Sequence, residues 1–141
     1  MGVQSMLIAF GVGQIALTVF AVVYQLITRY DDQKELGEEK NVAAALAYGG
    51  NLVAYGLILM KGLSMDQYQL ETWTWQDRLI HAGYYAVVGG VLLVVTRIIN
   101  DTLFLPKAKL SKEIVEDRNL NAGLMAATLA LSMGAAMVFC L

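Results

Sequence analysis

Four long apolar stretches, almost free of charge, constrain this chain more than any other feature. They cover residues 3–27, 42–60, 79–99 and 120–141, and the only Asp, Glu, Lys or Arg among them is Arg97, near the end of the third. About 20 apolar residues in a helix cross the hydrocarbon core of a bilayer. No water reaches the backbone there, so a spanning segment must satisfy its own N–H and C=O groups, as a helix does. The expected fold is an all-α membrane protein, a four-transmembrane-helix bundle. Proline, which would break such helices, falls outside all four stretches, since Pro106 lies between the third and fourth. Composition points the same way: 57% of residues are hydrophobic and 16% charged, against about 45–50% and 25% in soluble domains.

The charges between the stretches set an orientation. Arg29, Lys34 and Lys40 follow the first stretch, and Arg97, Lys107, Lys109, Lys112 and Arg118 end or follow the third. Only Lys61 and Arg78 lie between the second and third. Cytoplasmic loops carry the excess of Lys and Arg, so the first and third loops are expected inside and both termini outside. Arg97 is expected to snorkel to the interface, and Tyr30, Trp73 and Trp75 sit where aromatic belts form. Residues 1–27 lack a basic n-region and exceed the usual apolar length of a signal peptide, so none is expected to be cleaved. Met6 stands where an N-myristoylation start needs Ser or Thr.

The two halves read alike. Thr28-Arg29 ends the first stretch and Thr96-Arg97 the third. Glu35-Leu36 then leads to Lys40-Asn41-Val42-Ala43-Ala44-Ala45-Leu46, as Glu113-Ile114 leads to Arg118-Asn119-Leu120-Asn121-Ala122-Gly123-Leu124. Each half enters the membrane and returns, so the copies are parallel and related by an axis along the membrane normal. The expected organisation is two parallel helix–loop–helix repeats, residues 1–60 and 79–141, joined by an external loop, 61–78. A short helix is expected in each cytoplasmic loop, the second starting with Ser111 as N-cap, with Leu36 and Ile114 dipping toward the interface. A plain solvated hairpin is the other reading. Thr74 and Asp77 have capping-box spacing.

Candidate functional residues are polar and few. Asn41 and Asn119 each precede a span, where the first backbone N–H groups lack partners. Capping explains both economically; a polar ring at a cytoplasmic mouth is the functional alternative. Gln14 with Gly11, Thr18 and Gln25, Asn51 with Tyr48 and Tyr55, and Asn121 and Thr128 with Ser132 recur at helical spacing. Such residues usually pack helices together; the sharper reading is a shared polar seam for an ion or small solute. Gly49-Gly50, Gly56, Gly89-Gly90 and Gly134 allow close helix approach, and the matched places of Gly56 and Gly134 favour packing. His81 is an interfacial anchor or an external pH sensor. Cys140 is the only cysteine and reads as a small apolar residue. No nucleotide loop, zinc-protease motif or paired intramembrane carboxylates occur, so neither an enzyme nor a cofactor or metal site is expected. The net charge of −2 gives no reason to expect nucleic acid.

Thr28-Arg29-Tyr30-Asp31, Asn41-Val42-Ala43-Ala44-Ala45 and Gly49-Gly50, with the weaker second copy, resemble the YjfL-like family of bacterial inner-membrane proteins. The resemblance covers nearly the whole chain and implies four spans in the bacterial cytoplasmic membrane. The second copy departs in Asn121 and Gly123, where the first has Ala43 and Ala45. The resemblance supplies no catalytic residues. Two functions are then expected. One is a non-enzymatic scaffold or accessory subunit that docks a cytoplasmic protein partner at its paired loops. The other is an oligomeric channel or transporter. Four short helices leave few interior positions for a pore, so a homo-oligomer in the lipid bilayer is expected under either.

Overall fold

The computed structural model describes residues 3–28, 31–103 and 109–140. Arg29, Tyr30, Pro106, Lys107 and Leu141, used above for charge, belt and span assignments, lie outside the described residues. The elements are α1 (Val3–Ile27), a π-type turn (Lys34–Glu38), α2 (Val42–Leu63), α3 (Gln67–Thr72), α4 (Trp75–Leu103), α5 (Leu110–Val115) and α6 (Leu120–Cys140). Four of them are long and apolar enough to cross a membrane: Met6–Ile27, Val42–Leu63, Trp75–Leu103 and Leu120–Cys140. The chain is a multi-pass membrane protein with a helical bundle fold.

Helix ends differ from the hydropathy boundaries because capping, not apolarity, sets them. α2 runs past residue 60 to Leu63, where Ser64 N–H closes on Met60 O at 2.9 Å. α4 begins early because Thr74 N–H and Oγ1 both donate to Asp77 Oδ2, at 2.8 and 2.6 Å, and Asp77 N–H donates back to Thr74 Oγ1 at 3.3 Å. This is the reciprocal box that the Thr74/Asp77 spacing predicts. Asp66 and Gln69 form a second such box at α3. In the third loop the expected cap is displaced: α5 starts at Leu110, after Lys109. Ser111 instead donates from N–H and Oγ to Asp101 Oδ1, at 2.7 and 2.6 Å. The Asp101 carboxylate on α4 is a charged and therefore strong acceptor for both Ser111 donors.

α2 is the central helix, and its most extensive interface is with α6. A Cβ built on Gly123 would collide with Ala43 O, one on Gly50 would lie 2.5 Å from Ala127 Cα, and one on Gly134 would lie 2.9 Å from Ala54 Cα. The three meeting points rise together along both helices, so α2 and α6 run parallel with their backbones almost touching. Lipid tails are as apolar as leucine, so packing must hold such a pair, and small residues let it do so. Gly56 takes no part: among the described residues nothing lies within 4 Å of a Cβ there, although its counterpart Gly134 is tightly packed. The expectation that both pack helices holds for Gly134 alone.

α4 packs against α2 and α6, and α1 against α2 and α4. Phe20 of α1 stacks on Tyr55 of α2 at 4.1 Å between ring centroids. His81 Nδ1 sits 3.0 Å from Gly62 O, and its ring meets Trp73 edge-on. It pins α4 to the end of α2. Much of α1 faces outward, with Phe10, Ile15 and Leu26 among its exposed side chains.

Candidate functional site

The end of the bundle that carries the first and third loops holds most of the buried polar groups. Its outer layer is built on Asn41. The side chain is 2% exposed, and its Oδ1 accepts from Ala43 N–H and Ala44 N–H at 3.1 and 3.2 Å. Its Nδ2 donates to Glu35 Oε2 at 2.8 Å and, across to the other loop, to Ile114 O at 2.9 Å. Every hydrogen-bonding position of a buried amide is thus used, as burial requires.

Asn119 makes the corresponding local set. Its Oδ1 accepts from Asn121 N–H and Ala122 N–H, and its Nδ2 donates to Glu113 Oε2 at 3.0 Å. Asn41 N–H reaches Glu35 O, and Asn119 N–H reaches Glu113 O. Lys40 and Arg118, the residues just before, both adopt left-handed backbone, with φ of 51° and 48°. That conformation costs a non-glycine residue roughly 1–2 kcal/mol, and both asparagine turns stabilise it. A last link joins the loops outside: Arg118 Nη2 donates to Glu39 Oε2 at 2.6 Å. Below, Leu110 and Ile114 are fully buried on Ala43, Ala44, Ala47, Ala122 and Ala126. Ile114 therefore packs on protein instead of dipping into lipid, while Leu36 is half-buried.

A second, deeper layer joins α1, α2 and α4. Arg97 is only 8% exposed, so it does not snorkel. Its guanidinium lies 6.0 Å from the Tyr24 ring centroid and exerts an attraction on the carboxylate of Asp32. Asp32 is 1% exposed and accepts from Thr28 Oγ1 at 2.8 Å. Burial pushes its pKa above the ordinary carboxylate value; the Thr28 hydrogen bond and Arg97 pull the other way, and Asp31 and Glu35 add repulsion. Tyr24 extends the layer inward, accepting at its hydroxyl from Asn51 Nδ2 at 3.3 Å. Asn51 Nδ2 also donates to Ala47 O at 2.8 Å.

Of the six sequence candidates, three enter this region: Asn41, Asn119 and Asn51. Gln14, Asn121 and Thr128 do not join them. All three are exposed on the outer faces of α1 and α6, and Thr128 Oγ1 donates to its own helix at Leu124 O. The polar positions thus do not converge on one seam inside this chain. Asp32, Arg97 and Asp101 carry the site and were not among the six candidates, because charges at span ends look solvated in a hydropathy profile. The available signal was spacing: Thr28 with Asp32, and Arg97 with Asp101, stand four residues apart and face the same way. Among the described residues no group of three His, Cys, Asp or Glu side chains is placed to hold a metal.

The family model for a Domain of Unknown Function (DUF350) matches residues 1–141. The chain is also similar to the UPF0719 transmembrane protein YshE of Bacillus subtilis (strain 168), at 26% identity over 108 residues, 77% of this chain and 72% of that protein. No solved structure matches.

Proposed function

The chain belongs to the DUF350 family, and from that premise we propose that it is a non-enzymatic scaffold or accessory subunit of a membrane complex. It sits in the bacterial cytoplasmic membrane with both termini outside, and docks a protein partner on its paired cytoplasmic loops. The observation that carries this reading is the lock between those loops, Asn41 to Ile114 O and Arg118 to Glu39. Two loops fixed to each other over a small core of their own form a surface of constant shape. Its exposed charges, among them Lys34, Glu38, Lys112, Glu116 and Asp117, are of both signs and suit a charged protein face. Binding to a preorganised surface spares the entropy of ordering it. The α2–α6 seam, closed by Gly and Ala, favours a packing role over conduction through one chain.

We read the two halves as tandem copies, in keeping with the YjfL-like motif. Matched asparagine turns, matched left-handed residues and the parallel α2–α6 pair support that reading. The copies have diverged, since α4 packs against both α2 and α6, whereas its counterpart α1 packs against α2 and has no comparable interface with α6. Affinity purification from gently solubilised native membranes tests the scaffold role. A defined set of partners should co-purify and should be lost with an Asn41→Ala/Arg118→Ala variant that still inserts. Recovery of the protein alone would overturn the proposal.

One observation favours the second reading, an oligomeric channel or transporter. Asn121 and Thr128, with Leu124, Met125 and Leu129, line an open groove on the outward face of α6, where copies could meet around a polar path. Purified protein in liposomes should then leak ions or solutes, and Thr128→Val should reduce the leak. Vesicles that stay tight under every gradient exclude this reading.

A further inference from the structure

At the end opposite the paired loops, α1, α2, α3 and α4 enclose a pocket of about 220 Å³. Ile8, Val12, Leu63, Leu70, Trp75 and Leu79 make it apolar, and Arg78 is the only charged side chain among the described residues that line it. Arg78 is held from one side: its Nη2 donates to Leu70 O at 2.8 Å. Its Nε is buried and has no hydrogen-bond partner among the described residues. A buried charged donor left unmade is costly, and a guanidinium edge matches the oxygens of a phosphate or carboxylate. No acid at this end, Glu71 on α3 included, bonds to Nε among the described residues. Asp77 is engaged by Thr74 and Asp66 by Gln69. The lining is mostly apolar, which suits a lipid that brings its own apolar part better than a small hydrated ion.

From this we infer that the pocket binds the head-group region of an anionic glycerophospholipid, with phosphate on Arg78 and the glycerol and first acyl carbons against Val12, Leu63 and Leu79. Trp75 lines the pocket from the start of α4, at the level where aromatic rings meet head groups. An anionic lipid fits better than a zwitterionic one because no acidic side chain among the described residues lines the pocket to receive an amine.

The inference is independent of the scaffold reading. Its test is native mass spectrometry of the full chain extracted from phosphatidylcholine vesicles doped with phosphatidylglycerol. The wild type should retain phosphatidylglycerol preferentially, and Arg78→Gln should weaken that preference about tenfold, the loss expected for one charge-assisted hydrogen bond. Val12→Trp, which fills the pocket without touching the charge, should abolish it as well. Lys61→Gln removes a cation at the same end that does not line the pocket, and should change nothing. Equal retention of both lipids by the wild type, or an undiminished preference in either Arg78→Gln or Val12→Trp, would overturn the inference.

Discussion

Asn41 and Asn119 look interchangeable in the sequence, yet they carry different burdens. Both cap a helix, a role whose loss costs about 1 kcal/mol. Only Asn41 is buried and bonded to the opposite loop, so its removal also strands Ile114 O at roughly 1–3 kcal/mol. Asn41→Ala should therefore lower thermal stability in nanodiscs by about 3 kcal/mol and Asn119→Ala by about 1; equal losses would show that the cross-loop bond carries nothing. Asp32 makes a prediction about pH. Its pKa is raised above 3.8, so over the window that starts there and ends at the raised value the folded state binds more protons than the unfolded. Stability from this group is present at low pH and falls as pH rises through the folded pKa. Asp32→Asn should flatten that slope, which unfolding curves taken from acidic to neutral pH would register. That these residues matter was only half legible. A cap announces itself by sitting before an apolar run, but whether a charge at a span end stays wet depends on what the loops fold over it. Arg97 illustrates this: its position said interface, while Tyr24 and the first loop enclose it.

At the scale of elements, spans were readable because a bilayer imposes length and apolarity on each helix separately. Which helix faces touch was not readable, because glycine is frequent in these helices whether or not a partner uses it. Gly50 and Gly56 are both on α2, and only Gly50 meets backbone. Gly50→Ala and Gly123→Ala should force α2 and α6 apart and destabilise the bundle by a few kcal/mol, roughly the cost of overpacking. Gly49→Ala and Gly56→Ala, which meet nothing, should be neutral or stabilising by up to about 1 kcal/mol from helix propensity. Thermal unfolding of the four variants separates these outcomes, and the reverse ordering would place the helix seam elsewhere.

The whole molecule joins a bundle closed by small residues to a loop layer locked over buried charges, with a mostly apolar pocket around Arg78 at the far end. The bundle explains residence in the membrane and the loop layer offers a surface of fixed shape, on which the proposed scaffold role rests. That assignment depends on the loops facing the cytoplasm. In a Cys140→Ser background, Glu38→Cys and Glu116→Cys should be labelled by a membrane-impermeant maleimide only after the membrane is opened, and Gln69→Cys in intact cells; the opposite pattern would invert the orientation. The central claim is tested most directly by photo-crosslinking in native membranes, with a benzophenone side chain at Glu38 or Lys112 on the loops and at Leu124 or Phe139 on α6. The scaffold account predicts a discrete adduct with a different protein at the loop positions, lost when Asn41→Ala and Arg118→Ala unlock the loops. Adducts confined to α6 and composed only of this chain would contradict it and assign function to an assembly of copies.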